Sequence, residues 1–258
     1  MNNILAVSSV VMREMYRRKD FYVLLILTVL ITLILGSVNL FNDSNIVRYL
    51  KEICLLLIWI SSLVIAITTS ARQIPAERES RTIFPLLAKP VSRTEVLLGK
   101  FLGCWLASGV ALVCFYLFFG IISAARESGW PLGSYLQAVT LHWFMLAIVI
   151  AIALLGSLVF AAPSSNNTIC FIVIAGILLI GRHLHKVAVG MEQPSRGILT
   201  LIYFLLPQLG WFDVRERITH NWPPLGAGPF LLALAYALVT ASVFLFAASW
   251  IFNRKRLQ

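Results

Sequence analysis

The stretch Arg72–Lys100, RQIPAERESRTIFPLLAKPVSRTEVLLGK, determines how the rest of the chain is arranged. It contains six basic residues and three glutamates, and it is the only long charged segment in an otherwise strongly apolar chain. Apolar runs precede and follow it. Because charged side chains are costly inside the hydrocarbon core, we expect this stretch to lie at a membrane surface.

The composition is typical of an all-α polytopic membrane protein. Hydrophobic residues make up 59 % of the chain and charged residues 12 %, and the mean hydropathy is +0.87. Soluble domains carry about 25 % charged residues. We interpret residues 1–258 as one transmembrane domain. The net charge of +10 does not indicate a nucleic-acid partner, because basic residues at membrane edges orient the spans.

The four cysteines stand singly, within or beside apolar runs, at Cys54, Cys104, Cys114 and Cys170. No CxxC or Cys/His spacing occurs, so the sequence indicates neither a disulfide framework nor a zinc site. We expect small, buried, inert thiols.

Residues 1–20 predict an amphipathic helix that lies in the membrane interface. Its apolar face is formed, at helical spacing, by Ile4, Val7, Ser8, Val11 and Met15. Arg13, Glu14 and Arg17 fall largely on the opposite side. The alternative, a solvated basic tail, would not need this apolar face.

Six apolar runs then predict membrane spans, the fifth of them short. They are approximately Phe21–Leu40, Ile53–Ala71, Phe101–Ala125, Leu136–Ala162, Thr168–Gly181 and Phe230–Phe252. Of the 21 lysines and arginines, 13 fall on the side of the two termini and the central stretch, and 8 fall on the other side. Because basic connections face the cytoplasm, both termini are predicted to be cytoplasmic.

Two connections carry further predictions. The short cytoplasmic turn Pro163–Asn167 is rich in residues that can cap the helix that follows. The long extracytoplasmic connection, residues 182–229, contains the apolar piece Gly197–Pro207, which is too short to cross a membrane. It predicts a re-entrant or interfacial helix.

Several kinds of chemistry lack their usual sequence motifs. Gly99-Lys100 is followed by Phe101 and is not preceded by a glycine-rich loop, so the chain has no GxxxxGK[ST] phosphate-binding motif. HExxH and GxSxG are also absent. In the middle of the spans we identify only hydroxyl groups, which favours a source of energy other than an ion gradient. These hydroxyls belong to Thr28, Thr32, Ser61, Ser62, Thr68, Ser108, Ser157, Thr240 and Ser242.

The outer connection and its borders contain His183, His185 and His220. A metal site there is conceivable, but histidines two apart on a helix point to different sides. Solvated interfacial histidines are the favoured interpretation.

Within the central stretch, residues 72–100, the pattern predicts two helices separated by a break. Pro75 is suited to the first position of a helix, with Glu77 and Glu79 in its first turn. Glu77 and Arg81 are four apart, in the favourable order for an ion pair on one face. Lys89-Pro90 ends this helix.

A second helix is predicted to begin near Arg93. Ser92 and Glu95 form an S-x-x-E capping box directly before an apolar run. The helix then continues as the third span, with Lys100 at the membrane edge.

These residues resemble a known family. Glu77-x-x-x-x-Thr82-x-x-x-Leu86-Leu87-Ala88-Lys89-Pro90-Val91-Ser92-Arg93, followed by Gly99-Lys100, is similar to the pattern of ABC type-2 exporter permeases. The resemblance is closest to the multicopper-enzyme-maturation group, which includes the nitrous oxide reductase maturation transporter. Leu206-Pro207-x-x-x-x-Phe212-Asp213 also resembles a pattern in this group, whereas Pro85 departs from it.

The resemblance implies a non-catalytic, multi-pass permease in the cytoplasmic (inner) membrane of a bacterium, in contact with lipid. Two copies would pair and bind two copies of a separate ABC ATPase, which would hold ATP and magnesium, so no cofactor is expected in this chain. The coupling helix would be Pro75–Lys89, with a second contact at Pro163–Asn167. The residues implied in ATPase coupling are Glu77, Arg78, Arg81, Thr82, Leu86, Leu87, Lys89, Pro90, Arg93, Ser164 and Asn166.

At the outer face, the resemblance implies that Pro207, Phe212 and Asp213 form a gate or contact an extracytoplasmic accessory protein. Two other classes remain open. An ion-coupled carrier or channel would need buried polar groups in mid-span, and an integral-membrane enzyme would need a polar site at the outer face. The transported substrate, and whether the protein transports or only transmits force, does not follow from the sequence.

Overall fold

A computed structural model describes residues 2–17, 19–37, 44–81, 91–124, 131–189, 191 and 195–255. Every regular element in these ranges is helical. The helices are α1 (Asn2–Tyr16), α2 (Lys19–Ser37), α3 (Ser44–Ala71), α4 (Gln73–Glu79), α5 (Arg93–Ala124), α6 (Leu132–Val159), α7 (Pro163–Val189), α8 (Ser195–Leu205), a 3-10 helix (Leu209–Phe212), α9 (Arg215–Thr219) and α10 (Ala227–Arg254). The predicted all-α class is therefore confirmed for the described part of the chain.

Five helical segments within these ranges are long and apolar enough to cross a membrane. They are Lys51–Glu79, Arg93–Ala124, Leu132–Val159, Pro163–Gly181 and Ala227–Arg254. The first predicted span falls on α2, and its last residues, 38–40, lie outside the described residues. Length and composition thus indicate a multi-pass membrane protein.

The border between the fourth and fifth predicted spans is corrected. Helix α6 ends at Val159, and α7 begins at Pro163, so the connection is residues 160–162. The predicted turn Pro163–Asn167 is instead the first part of α7. A proline at the first helical position costs no hydrogen bond, because that N–H has no partner within the helix. Helix α7 continues to Val189 and is longer than predicted.

Helices α3, α5 and α6 form the centre of the molecule, and α10 packs along α6. Much of α6 is fully buried, including Leu146 and Leu154. By contrast, α10 leaves most of its apolar surface exposed, and Phe246 is 75 % exposed. Helix α2 is fixed to α3 by a hydrogen bond of 2.8 Å between the hydroxyls of Thr28 and Ser61. Such hydroxyl pairs are typical contacts between spans.

The apolar face of α1 packs against α5, whereas the sequence predicted contact with the membrane interface. Ser8, Val11 and Met15 on this face are buried. A methyl group on Gly99 would lie 2.6 Å from Cβ of Val7, and one on Gly103 would lie 2.7 Å from Cβ of Val11. Two glycines four residues apart let two helix backbones approach closely.

The other side of α1 agrees with the predicted polarity, because Arg13, Glu14 and Arg17 are exposed. Leu5 and Val10 are exposed as well, so α1 retains apolar surface for lipid. The helix is therefore amphipathic, as predicted, but its main partner is protein.

The predicted short apolar helix in residues 182–229 is present as α8, which has 11 residues and is too short to cross. After it, the 3-10 helix packs against α6 and α7, and α9 packs against α3 and α6. The re-entrant or interfacial placement of α8 stays a prediction.

Candidate functional site

The predicted coupling helix Pro75–Lys89 is corrected in its bounds. Only Arg72 separates the end of α3 from α4, which begins at Gln73 and ends at Glu79. Pro75 is thus the third residue of α4, and neither glutamate lies in its first turn. Arg81, beyond the helix end, has a positive φ of 58°, which is uncommon for a residue other than glycine. The predicted Glu77–Arg81 pairing on one helix face is therefore wrong.

Glu77 forms a buried ion pair with Lys100 of α5. Oε1 of Glu77 lies 2.6 Å from Nζ of Lys100, whose side chain is only 2 % exposed. Nζ also donates to the side-chain oxygen of Gln73 at 3.2 Å and to its carbonyl at 3.4 Å. A buried charge is tolerated only when it is paired and hydrogen-bonded. The two ends of the family-like pattern, Glu77 and Gly99-Lys100, thus meet in space and join α4 to α5.

The predicted capping box at the start of α5 is confirmed. The backbone N–H of Ser92 donates to Oε2 of Glu95 at 2.8 Å, and the N–H of Glu95 donates to the hydroxyl of Ser92 at 3.2 Å. Helix α5 accordingly begins at Arg93. The guanidinium of Arg93 donates to the carbonyls of Phe252 and Lys255, each at 2.8 Å. The start of α5 is therefore also fixed to the end of α10.

The remaining residues implied in ATPase coupling fall into three groups. Thr82, Leu86, Leu87, Lys89 and Pro90, together with Pro85, lie outside the described residues. Arg81 and Ser164 are exposed, and Arg78 is half-buried. Asn166 is 0 % exposed and is enclosed by its own chain.

Asn166 instead fixes the beginning of α7 to the ends of two other helices. Its side-chain NH₂ donates to the carbonyl of Ala71 at 2.7 Å and to that of Ala153 at 3.3 Å. Its oxygen accepts from the thiol of Cys170 at 3.4 Å and packs directly on Gly156. Because Ala71 is the last residue of α3, this contact lies where α4 begins.

At the other end of the bundle, the segment after α8 is anchored by polar and aromatic contacts. Pro207 and Phe212 are buried. The backbone N–H of Gln208 donates to the hydroxyl of Tyr236 in α10 at 2.9 Å. Asp213 accepts two hydrogen bonds from Arg215, at 2.8 and 2.9 Å. Of the three residues predicted from the outer pattern, Pro207 and Phe212 are therefore buried, and Asp213 is fixed to Arg215.

Arg215 extends this contact to α3. Its guanidinium carbon lies 4.9 Å from the ring centre of Trp59, within the range of a cation–π interaction. Burial alone would lower the pKa of Arg215, but the hydrogen bonds and charge of Asp213 raise it above the ordinary value. The arginine therefore remains charged where it packs on the indole.

His142 is a buried polar residue that the sequence analysis missed, since only hydroxyls were identified in mid-span. It lies ten residues after the start of α6, about 15 Å along the helix. Its Nε2 is hydrogen-bonded to the hydroxyl of Ser62 at 2.8 Å, and its Nδ1 lies 3.5 Å from that of Tyr116. The sequence does contain a signal for this residue, because a histidine inside an apolar run indicates a polar group within a span. The statement that mid-span polar groups are limited to hydroxyls is wrong.

Of the three candidate metal residues, the structure describes the side chain of His220 alone. The side chains of His183 and His185 lie outside what the structure describes. His220 is exposed, with its Nδ1 2.9 Å from the carbonyl of Glu216 and its ring 5.0 Å from that of Trp222. Among the described residues, no group of three or more potential metal ligands occurs.

The cysteines follow the prediction in part. No disulfide links them, and Cys54, Cys104 and Cys170 are buried. Cys114 is exposed on α5, contrary to the expectation that all four are buried.

Together, these features define an all-helical, multi-pass membrane protein whose helix ends are joined by buried polar contacts. Comparison with protein families matches residues 3–257 to the family described as ABC-2 family transporter protein. The chain belongs to this family, whose members are membrane components of transporters. Comparison with curated proteins finds no match.

Proposed function

We propose that this chain is the membrane subunit of an ABC exporter, or of a related complex that transmits force, driven by two copies of a separate ATPase. Family membership over nearly the whole chain supports this proposal. The proposal includes pairing with a second copy, a sixth span formed by α2, and both termini in the cytoplasm of a bacterium. The apolar character of α2 and the asymmetry of basic residues support the topology.

The observation that carries the mechanism is the Glu77–Lys100 ion pair. In the proposed mechanism, the ATPase binds ATP and magnesium and contacts the exposed Arg81 and Ser164, together with the segment after Arg81. A movement of α4 is then transmitted to α5 through Glu77 and Lys100. Asn166 acts as a positioning residue, because it fixes α7 to the end of α3. Energy reaches the spans mechanically, and this chain performs no covalent chemistry.

The proposal is tested by charge reversal at an exposed position of the docking face. The chain is co-expressed with a candidate ABC ATPase from the same genome, and co-purification and ATPase stimulation are measured. We expect Arg81→Glu to weaken association by about tenfold or more, because reversing an interfacial charge places like charges together. The matched control is Arg17→Glu, which reverses an exposed charge directly after α1, on the same predicted side of the membrane. If Arg81→Glu assembles and stimulates ATPase activity as the unmodified chain does, this docking face is wrong.

His142 gives a specific reason to retain one alternative, an ion-coupled carrier. A buried titratable group in mid-span is a usual component of proton pathways. The alternative predicts transport by the purified chain alone, in vesicles with an ion gradient and no ATPase, and loss of that transport in His142→Ala. The exporter proposal predicts no transport under these conditions.

The alternative of an enzyme at the outer face gains no support from the described contacts. His220 contacts a backbone carbonyl and an indole ring.

A further inference from the structure

The side chain of Trp59 in α3 contacts both a buried histidine and the outer segment, which we define as residues 207–219. The ring centres of Trp59 and His142 are 6.2 Å apart. The guanidinium carbon of Arg215 lies 4.9 Å from the centre of the same indole ring. Nε1 of Trp59 is enclosed and has no hydrogen-bond partner among the described residues. The orientation of the indole therefore depends on the side chains packed around it, and His142 and Arg215 are two of them.

Ser62 connects His142 to the backbone of Trp59. Its hydroxyl donates to the carbonyl of Trp59 at 2.9 Å and lies 2.8 Å from Nε2 of His142. A serine hydroxyl has one hydrogen, and since this hydrogen is used on the carbonyl, the serine oxygen accepts from the histidine. Nε2 of His142 therefore carries a hydrogen, and Nδ1 accepts from the hydroxyl of Tyr116 at 3.5 Å. In this arrangement His142 is neutral, and both of its ring nitrogens have a partner.

The hydrogen bonds of His142 are enclosed, so water does not replace one that is lost. His142 is 2 % exposed, Ser62 is 1 % exposed and Tyr116 is 5 % exposed. A buried polar group that loses its partner costs more free energy than the hydrogen bond itself contributes. The position of Trp59 is therefore tied to that of His142, one helix away.

Arg215 carries this position to the outer segment. It is the first residue of α9, and its side chain donates to Asp213 at 2.8 and 2.9 Å. The Asp213 side chain, between the 3-10 helix and α9, is only 8 % exposed. A charged guanidinium over an indole ring is held by a directional attraction. A displacement of the Trp59 ring therefore displaces Arg215 and the start of α9.

We propose that His142 is a positioning residue for the outer segment. Through Ser62 and the Trp59 ring, it sets the place at which Arg215 docks. The proposal gives His142 a hydrogen-bonding role as a neutral side chain, not a role in proton transfer. It concerns contacts within this chain and needs no ATPase. The consequence that a movement of the spans reaches the predicted outer gate rests on the proposed function.

The experiment measures trypsin cleavage after Arg217 of α9, in the purified full-length chain in nanodiscs, by mass spectrometry. Cleavage after the exposed Arg17, directly after α1, is the internal reference. Because protease cuts the locally opened chain, the cleavage rate follows the population in which α9 is open. We expect His142→Ala to raise the ratio of cleavage after Arg217 to cleavage after Arg17 by about tenfold, since buried hydrogen bonds are lost. Global unfolding would raise both rates and leave the ratio unchanged.

Two adjacent buried hydroxyls provide a matched pair of variants. Ser62→Ala removes the contact with His142 and is expected to raise the cleavage ratio. Ser61→Ala removes a hydroxyl that bonds to Thr28 of α2, and it is expected to leave the ratio unchanged. His142→Gln keeps an N–H donor that can reach Ser62, so it is expected to retain most of the protection. This variant also serves if His142→Ala does not fold.

Two further measurements test the route and the state of the histidine. Trp59→Leu is expected to raise the cleavage ratio by itself, and adding His142→Ala to it is expected to give no further increase, because both changes act through the same ring. The tautomer is measured by nitrogen NMR of histidine-labelled protein, which contains four histidines. The signal of His142 is assigned by its loss in His142→Gln. We expect a hydrogen on Nε2 and none on Nδ1.

Four results would overturn the proposal. The first is an unchanged cleavage ratio in folded His142→Ala, and the second is an equal increase in Ser61→Ala and Ser62→Ala. The third is an additive effect of Trp59→Leu and His142→Ala. The fourth is a charged imidazolium at His142, which would favour the ion-coupled carrier. None of these measurements includes an ATPase, so a failure of docking at Arg81 would leave the role of His142 standing.

Discussion

Replacing Glu77 with methionine would leave the Lys100 ammonium ion buried, 2 % exposed, with the two oxygens of Gln73 as its remaining partners among the described residues. Replacing Lys100 with methionine would leave the Glu77 carboxylate without this cation, on a side chain that is 29 % exposed although its Oε2 atom is enclosed. Breaking a buried ion pair by removing one partner costs about 3–5 kcal/mol. We therefore expect Glu77→Met to lower the free energy of unfolding by about 5 kcal/mol and Lys100→Met by about 3 kcal/mol.

The assay is unfolding of the purified full-length chain by sodium dodecyl sulfate in mixed micelles, followed by circular dichroism. The double variant Glu77→Met/Lys100→Met removes both charges and is expected to be close in stability to the unmodified chain, because no unpaired charge remains. The matched control is Glu79→Met, an exposed glutamate two residues further along α4. Equal effects of the two single changes, or a double variant whose loss is the sum of the single losses, would refute the reasoning from burial.

Two other buried contacts give predictions with controls in the same chain. Gly103→Val places a side chain against Val11 and is expected to lower the free energy of unfolding by about 1–3 kcal/mol and to make α1 more accessible to protease. A methyl group at Gly133 would contact no atom within 4 Å, so Gly133→Ala is expected to leave both the stability and the protease accessibility unchanged. Asn166→Ala removes the hydrogen bonds to two backbone carbonyls and is expected to lower the free energy of unfolding by about 1–3 kcal/mol. Asn167→Ala should cost less than Asn166→Ala in the same assay, since the Asn167 side-chain oxygen is buried without a partner among the described residues. A larger loss for Asn167→Ala would contradict this assignment.

The features that the sequence predicted well depend on short-range spacing. The Ser92–Glu95 capping box joins residues three apart, so the motif contains both partners of the contact. The apolar face of α1 is likewise a property of one helix, and the helix is amphipathic as predicted. Its partner was not predicted, because packing on Gly99 and Gly103 joins residues more than 90 positions apart. A pattern within one helix does not distinguish a lipid surface from a protein surface.

The end of α4 was missed for a different reason. Arginine is a good helix former, and nothing local predicts the left-handed backbone at Arg81, whereas Pro90 is an obvious terminator. The start of α7 at Pro163 was predictable from the preference of proline for the first helical turn, but the sequence was interpreted as a loop rich in serine and asparagine. In the first case the proline at Pro90 was taken as the end of the helix instead of Arg81. In the second case the serine and asparagine residues outweighed the preference of Pro163 for a helix start.

The positions of the buried polar contacts indicate which parts of the described structure move together. Glu77–Lys100 joins α4 to α5, Asn166 joins α7 to the end of α3, and Arg93 joins α5 to the end of α10. Because removing one partner from such a contact leaves a buried polar group unsatisfied, these joints resist separation more than apolar surfaces of similar area, which can slide. We therefore expect a displacement applied at α4 to be transmitted to α5, and through α5 to α10, before these contacts separate. The proposed docking face and the ends of α5 and α10 on the predicted cytoplasmic side are therefore expected to move together.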